Sequence, residues 1–172
     1  MRKSILWVLI VISGCNRGPS GSTAPAVAIQ MHYPVVAGEV ELVVGDGHET
    51  IAPPGSATAG SKWIEHDVTY TNLLNHPIWV SGYSESSLFS RIETRSNDAA
   101  EWRDYGLGYC GTGARDLEIA PRASYSFTAS LPEKYIGEEF RVFVLYRTVH
   151  TGDDWFQAAS QGRLLANSPA GD

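Results

Sequence analysis

The residue types best able to do chemistry are few in this chain and poorly spaced for it. Gly106-Leu107-Gly108-Tyr109-Cys110-Gly111 satisfies the G-x-G-x-x-G spacing of a phosphate-binding turn. Such a turn works only with a strand before it and a helix after it, because the helix N-terminus holds the pyrophosphate. The residues that follow, Thr112 to Ile119, read as a turn and then a strand. The hexapeptide is therefore a glycine-rich inter-strand loop. Cys110 is one of only two cysteines, and a blue-copper site would need His and Met shortly after it. The next histidine is His150, while Met1 and Met31 both come earlier. The five histidines, at 32, 48, 66, 76 and 150, show none of the short spacings that hold zinc. Gly82-Tyr83-Ser84-Glu85-Ser86 lacks the second glycine of a serine nucleophile elbow. Glu138-Glu139 and Asp153-Asp154 are adjacent pairs, and neighbours on a strand point to opposite faces, so neither makes an acid/base couple. The chain is expected not to be an enzyme and to carry no cofactor and no metal.

What remains is recognition. Trp102, Tyr105 and Tyr109 crowd around the glycine-rich loop beside Arg103, Asp104 and Arg115, with Tyr83 on a neighbouring segment. Rigid aromatic side chains next to glycines lose little entropy on binding. Tyr83, Trp102, Tyr105, Tyr109 and Cys110 are the candidate binding surface. The same rings could instead cap the end of a core, and Cys110 could be a buried thiol or a partner's contact. Two other readings stay open: a metal- or redox-active module using Cys110 with a distant histidine, and an inhibitor of an envelope protease.

The N-terminus has its own logic. Met1-Arg2-Lys3 is followed by the apolar run Ile5 to Ile12 and then by Ser13-Gly14-Cys15. A positive start, a short apolar run and small residues mark an export signal, and the run is far short of the ~20 residues that span a bilayer as a helix. Ile12-Ser13-Gly14-Cys15 closely resembles the lipobox of bacterial lipoproteins. The resemblance implies diacylglycerol on the Cys15 thiol and cleavage just before it. Two or three acyl chains make such an anchor stable. Asn16 stands where an inner-membrane retention signal would place Asp, which implies the outer membrane if the cell has two. The expected location is the bacterial cell envelope.

Charge agrees with a lipid attachment. The formal charge is −6, and loss of Arg2 and Lys3 with the signal takes it to −8. No basic run offers a footprint for nucleic acid. An anionic membrane surface would repel such a domain, so membrane contact falls to the lipid on Cys15. An envelope protein is the other expected partner.

The elements that must position these residues are strands. The chain has 17 Gly and 9 Pro with only 19 % charged residues, a mixture that supplies turns and interrupts helices. Residues 1–14 form the signal, 15–25 a lipidated flexible tether, 26–165 the domain and 166–172 a disordered tail. Strands are expected at 26–32, 39–44, 63–71, from 78, at 88–94, 100–105, 124–131, 140–146 and 155–159, with a long loop at 45–61. The clearest alternates Tyr125, Phe127, Ala129 and Leu131 with Ser124, Ser126, Thr128 and Ser130. The segment 140–146 is apolar on both faces and reads as a central strand.

From about Lys62 to His150 the chain resembles the bacterial immunoglobulin/fibronectin-type sandwiches. The matching pieces are Val68-Thr69-Tyr70-Thr71-Asn72 before Pro77-Ile78, then Leu117-Glu118-Ile119-Ala120-Pro121 leading to Tyr125 and Phe127, then Phe140-Arg141-Val142-Phe143-Val144. Arg122 stands where that family favours Gly at the corner, and no cysteine pair bridges the sheets. The expected fold is an all-β, antiparallel two-sheet immunoglobulin/fibronectin-like sandwich.

Overall fold

The computed structural model describes residues 33–52, 58–98, 100–105, 113–151 and 154–166. Alternation of apolar and polar residues dictates nearly everything in it, because each strand buries one face and wets the other. The strands are β1 (Val40–Ile51), β2 (Lys62–Asn72), β3 (Ile78–Ser84), β4 (Ser87–Leu88), β5 (Ser90–Arg95) and β6 (Arg103–Asp104). After them come β7 (Arg115–Ile119), β8 (Ser124–Pro132), β9 (Glu139–Arg147), β10 (Phe156–Ala159) and β11 (Arg163–Leu164). One 3-10 turn, Glu133–Tyr135, is the only helical element among the described residues.

Two sheets form, with antiparallel pairing between their strands, and the chain is the all-β sandwich its patterning implies. The first sheet has the order β1-β2-β8. In the second, β9 is central: β3 and β5 share one of its sides, while β10 and β11 pair with it elsewhere. Between them the sheets enclose one core. Ile64, Val68, Tyr70, Phe127 and Leu131 meet Ile78, Val80, Ile92, Val142, Val144 and Tyr146. Full burial of such side chains contributes roughly 1.5–3 kcal/mol each. The Tyr146 hydroxyl donates to Glu39 Oε2 at 2.7 Å, and burial pushes the phenols of both Tyr146 and Tyr70 up from their ordinary value.

Three sequence expectations need correction. Residues 45–51 are not loop: β1 continues through them, paired with β2 as far as Ile51 and Lys62, after an irregularity between Val44 and Gly47. That break changes which residues face inward and so hides the alternation. Glycine is required at 47, because a Cβ there would lie 2.5 Å from the His66 ring. The expected strand at 88–94 is broken into β4 and β5, and only Arg103–Asp104 of 100–105 is strand. The expected strand at 26–32 lies outside the described residues, as do the signal and the tether.

The corner pieces hold the layers together. Asn72, at the end of β2, is fully buried. Its side-chain amide donates to the carbonyls of His76, Ile119 and Ala120 at 2.9–3.2 Å, and its oxygen accepts from Leu74 N–H at 2.9 Å. Arg122 has φ 61°, the one positive value on a non-glycine described residue. It therefore takes the left-handed conformation that glycine adopts at less cost.

Candidate functional site

On β9 the even residues Phe140, Val142, Val144 and Tyr146 enter the core, so Glu139, Arg141, Phe143, Leu145 and Arg147 face outward. On β5, Arg91, Glu93 and Arg95 do the same. The register then decides what they meet: Arg91 lies opposite Phe143, Glu93 opposite Arg141, and Arg95 opposite Glu139. Cross-strand neighbours sit about 4.5–5.5 Å apart at Cβ, close enough for direct pairing.

The result is a ladder of guanidinium groups on rings and carboxylates. Glu93 accepts from Arg91 Nη1 at 2.5 Å and from Arg141 Nε and Nη2 at 2.9 and 2.6 Å. Arg95 Nε donates to Glu139 Oε2 at 2.6 Å, and Arg91 Nη2 reaches Gln157 Oε1 at 3.2 Å. The Arg91 and Arg141 guanidinium carbons lie 4.3 and 4.9 Å from the Phe143 centroid. Those of Arg95 and Arg141 lie 4.5 and 4.2 Å from Trp102. Phe143 is only 4 % exposed and Glu93 only 8 %, although both belong to an outward face. Stacking on rings and bidentate pairing are what planar arginine does and lysine does not.

A second cluster lies at the other end of β9. Arg147 pairs with Asp116 of β7, which also accepts from Ser81 Oγ at 3.2 Å, and stacks 4.8 Å from Trp155. Trp79, opposite Arg147 on β3, stacks on His150 with 5.5 Å between centroids. Arg147 lies six positions along β9 from Arg141, so the two clusters stand about 20 Å apart along the face.

Of the residues singled out from sequence, Trp102 belongs to this face. Tyr105 does not: it meets Tyr135 edge-on at 5.2 Å and packs against the core. Burial, and then the neighbouring Tyr135, raise its phenol pKa. Tyr83 meets Phe89 edge-on at 5.0 Å, on the β3 side of the sheet. Tyr109, Cys110 and the glycine-rich loop at 106–111 lie outside the described residues, as does Cys15. Glu138 and Glu139 are each engaged by an arginine, Arg103 and Arg95 respectively. Among the described residues no group of three or more His, Cys, Asp or Glu is placed to hold a metal ion.

Sequence reasoning passed over Arg91, Glu93, Arg95 and Arg141. A signal was present: Arg-x-Glu-x-Arg at 91–95 is complementary, read backwards, to Glu-x-Arg-x-Phe at 139–143. A groove of about 670 Å³ between β1 and the β10–β11 side is a different kind of feature, lined mainly by Val36, Val40, Leu42, Val44, Leu73 and Ala159. Arg163 bridges beside it, from Nη1 to the Val44 carbonyl at 2.6 Å and to Asp46.

No family model matches the chain. No curated protein matches it either. Solved structures do. A crystal structure from Bordetella pertussis that carries the name ApaA is 19 % identical, with a TM-score of 0.46, over 79 % of this chain and 99 % of that one. An X-ray structure described only as structural genomics target SoR45 is 13 % identical, with a TM-score of 0.47, over 80 % of this chain and 94 % of that one. Likeness at that level adds nothing to the architecture already visible in the strand pairing.

Proposed function

We propose that this chain is a lipid-anchored cell-envelope protein whose β-sandwich binds a partner without catalysing a reaction, through the outer face built on β5 and β9. The anchor rests on Ile12-Ser13-Gly14-Cys15 behind a basic start and a short apolar run. Confinement on a membrane surface raises the local concentration of such a domain near other envelope components. The observation that carries the binding reading is Glu93, a carboxylate largely withdrawn from water on an outward face, held by two arginines that also cover Phe143. A wet sheet face needs no such construction, since exposed ion pairs contribute ~1 kcal/mol or less. Groups fixed before the partner arrives lose less entropy when it does.

Two variants of the full-length protein separate the halves of this reading. Cys15→Ser should move the protein from the membrane fraction to the soluble fraction. The double change Trp102→Ala with Arg141→Ala should leave it membrane-bound but speed its lateral diffusion in living cells several-fold, because the partner no longer restrains it. A Cys15→Ser protein that stays membrane-bound rules out the anchor. Diffusion that does not change rules out the face.

A further inference from the structure

We propose that the ligand of this face is a neutral, extended polysaccharide, lying along β9 from Trp102 towards Trp79 and Trp155. The proposal rests on the binding reading above and names the chemistry of its ligand. Three features of the face select that class.

The first is charge balance. Arg91, Arg95, Arg141 and Arg147 are each paired with a carboxylate, from Glu93, Glu139, Asp98 or Asp116. Four cations meet four anions, in a chain whose formal charge is −6. An anionic polymer is gathered by a surplus of positive charge, and none exists here. The second feature is flatness with planar groups. Trp79, Trp102 and Trp155, three of the chain's five tryptophans, all stand on this face. Each takes part in a stack with an arginine or a histidine. A sugar ring has apolar C–H faces and hydroxyl edges, so it stacks on such planes while its rim makes hydrogen bonds. A peptide strand would add instead to a sheet edge, where backbone groups are open.

The third feature is spare hydrogen-bonding capacity at the centre. Arginine has five N–H donors. The hydrogen bonds of Arg141 leave from Nε and Nη2, both to Glu93, and those of Arg91 leave from Nη1 and Nη2. Among the described residues Arg141 Nη1 and Arg91 Nε make no hydrogen bond, and they can donate to hydroxyl or carbonyl oxygens of a ligand. The span of about 20 Å between the two aromatic clusters fits an oligosaccharide of several units and not a single sugar.

The test is titration of the purified full-length protein, in detergent, with a β-1,4-linked hexamer of N-acetylglucosamine, followed by tryptophan fluorescence and calorimetry. Saturable binding should result, changing less than about twofold between low and high salt, because no counterions are released. Trp102→Ala should weaken it about tenfold, as expected for loss of an aromatic anchor. Thr71→Ala, on the opposite face of the molecule, should leave it within about twofold. If Trp102→Ala lowers the melting temperature sharply, Trp102→Phe keeps a ring in place and should still weaken binding several-fold. Absent binding, binding lost at high salt, or binding indifferent to residue 102 each overturn the proposal. Should the hexamer fail while Trp102→Ala with Arg141→Ala still frees diffusion in cells, the binding face stands and only its ligand class falls.

Discussion

The sandwich has two outer faces, and they solve the same problem differently. On the first sheet the outward residues of β2 and β8 are mostly short and hydroxylated. Thr69 meets Ser126 at 3.3 Å and Thr71 meets Ser124 at 2.9 Å, the serines exposed and the threonines half-buried. Its ion pairs lie at the rim: Lys62 and Glu49, 3.1 Å apart, are each 46 % exposed in their side chains. On the second sheet the outward residues are long, charged and aromatic, and they bury one another. Both faces cover the same core, so solubility alone does not require the second arrangement. The contrast is between a face left largely to solvent and a face whose side chains fix one another.

Asn72 belongs to neither face and provides the baseline for both. Removing its amide would leave three carbonyls and the Leu74 N–H without their partner inside the joint. Asn72→Ala should cost about 3 kcal/mol or more in urea denaturation, because buried groups lose partners that water cannot replace. Equal loss of the signals from both sheets during unfolding would show that the faces share one cooperative unit. Separate transitions would mean that they do not.

The next effect in size sets the faces directly against each other. Glu93→Ala strands Arg91 and Arg141 in a partly buried setting and should destabilise by about 2 kcal/mol. Thr71→Ala, which also removes a cross-strand partner, should cost under about 0.5 kcal/mol. Chemical denaturation of the two variants decides it. Similar values would erase the distinction between a built face and a solvated one.

How far that distinction can be read from sequence follows from what each face is made of. The first face is visible in one strand alone: Ser124, Ser126, Thr128 and Ser130 alternate with core residues, and period two is a local property. The second exists only across strands. Arg141 and Glu93 are 48 positions apart, and nothing local announces that the register will join them. Trp102 was singled out by its type and neighbours, and the structure stacks it with Arg95 and Arg141 on this face. Tyr105 has the same type and nearly the same neighbours, yet it packs on Tyr135, because strand pairing at β6 turns it inward. The far half of β1 was illegible for another reason, since the irregularity between Val44 and Gly47 breaks the alternation by which strands are recognised.

A smaller effect comes from His66, a histidine buried behind the first face. Its ring packs on Phe140 with centroids 4.7 Å apart, Nδ1–H donates to the Gly45 carbonyl at 3.0 Å, and Nε2 is buried without a partner among the described residues. Burial holds its pKa below the ordinary 6.5. Arg163 and His48 push the same way, while the Gly45 hydrogen bond and Asp46 oppose them. The unfolded chain therefore takes up the proton first. Stability from this group is complete above about pH 6.5 and falls as pH drops towards the lowered folded value, by up to ~1.4 kcal/mol per pH unit. Denaturation between pH 7 and 5 should show a shallower slope for His66→Leu than for the wild type. Parallel slopes would place the proton-linked loss elsewhere.

The smallest effect lies at Arg122, in the corner where the chain leaves β7 of the second sheet for β8 of the first. Its φ of 61° costs an L-residue roughly 1–2 kcal/mol relative to right-handed backbone. Its guanidinium recovers a little through Asn75 Oδ1, at 2.9 and 3.2 Å, in an exposed position. Glycine would remove the strain but lose those bonds and widen the unfolded ensemble, so Arg122→Gly should change stability by less than about 0.5 kcal/mol. Arg122→Val keeps the unfavourable φ, adds β-branching and loses the bonds, and should cost about 1 kcal/mol more than glycine. Equal stability of the two variants would mean that the corner relaxes out of the left-handed region, and then the path from one face to the other would not be fixed by backbone conformation at this residue.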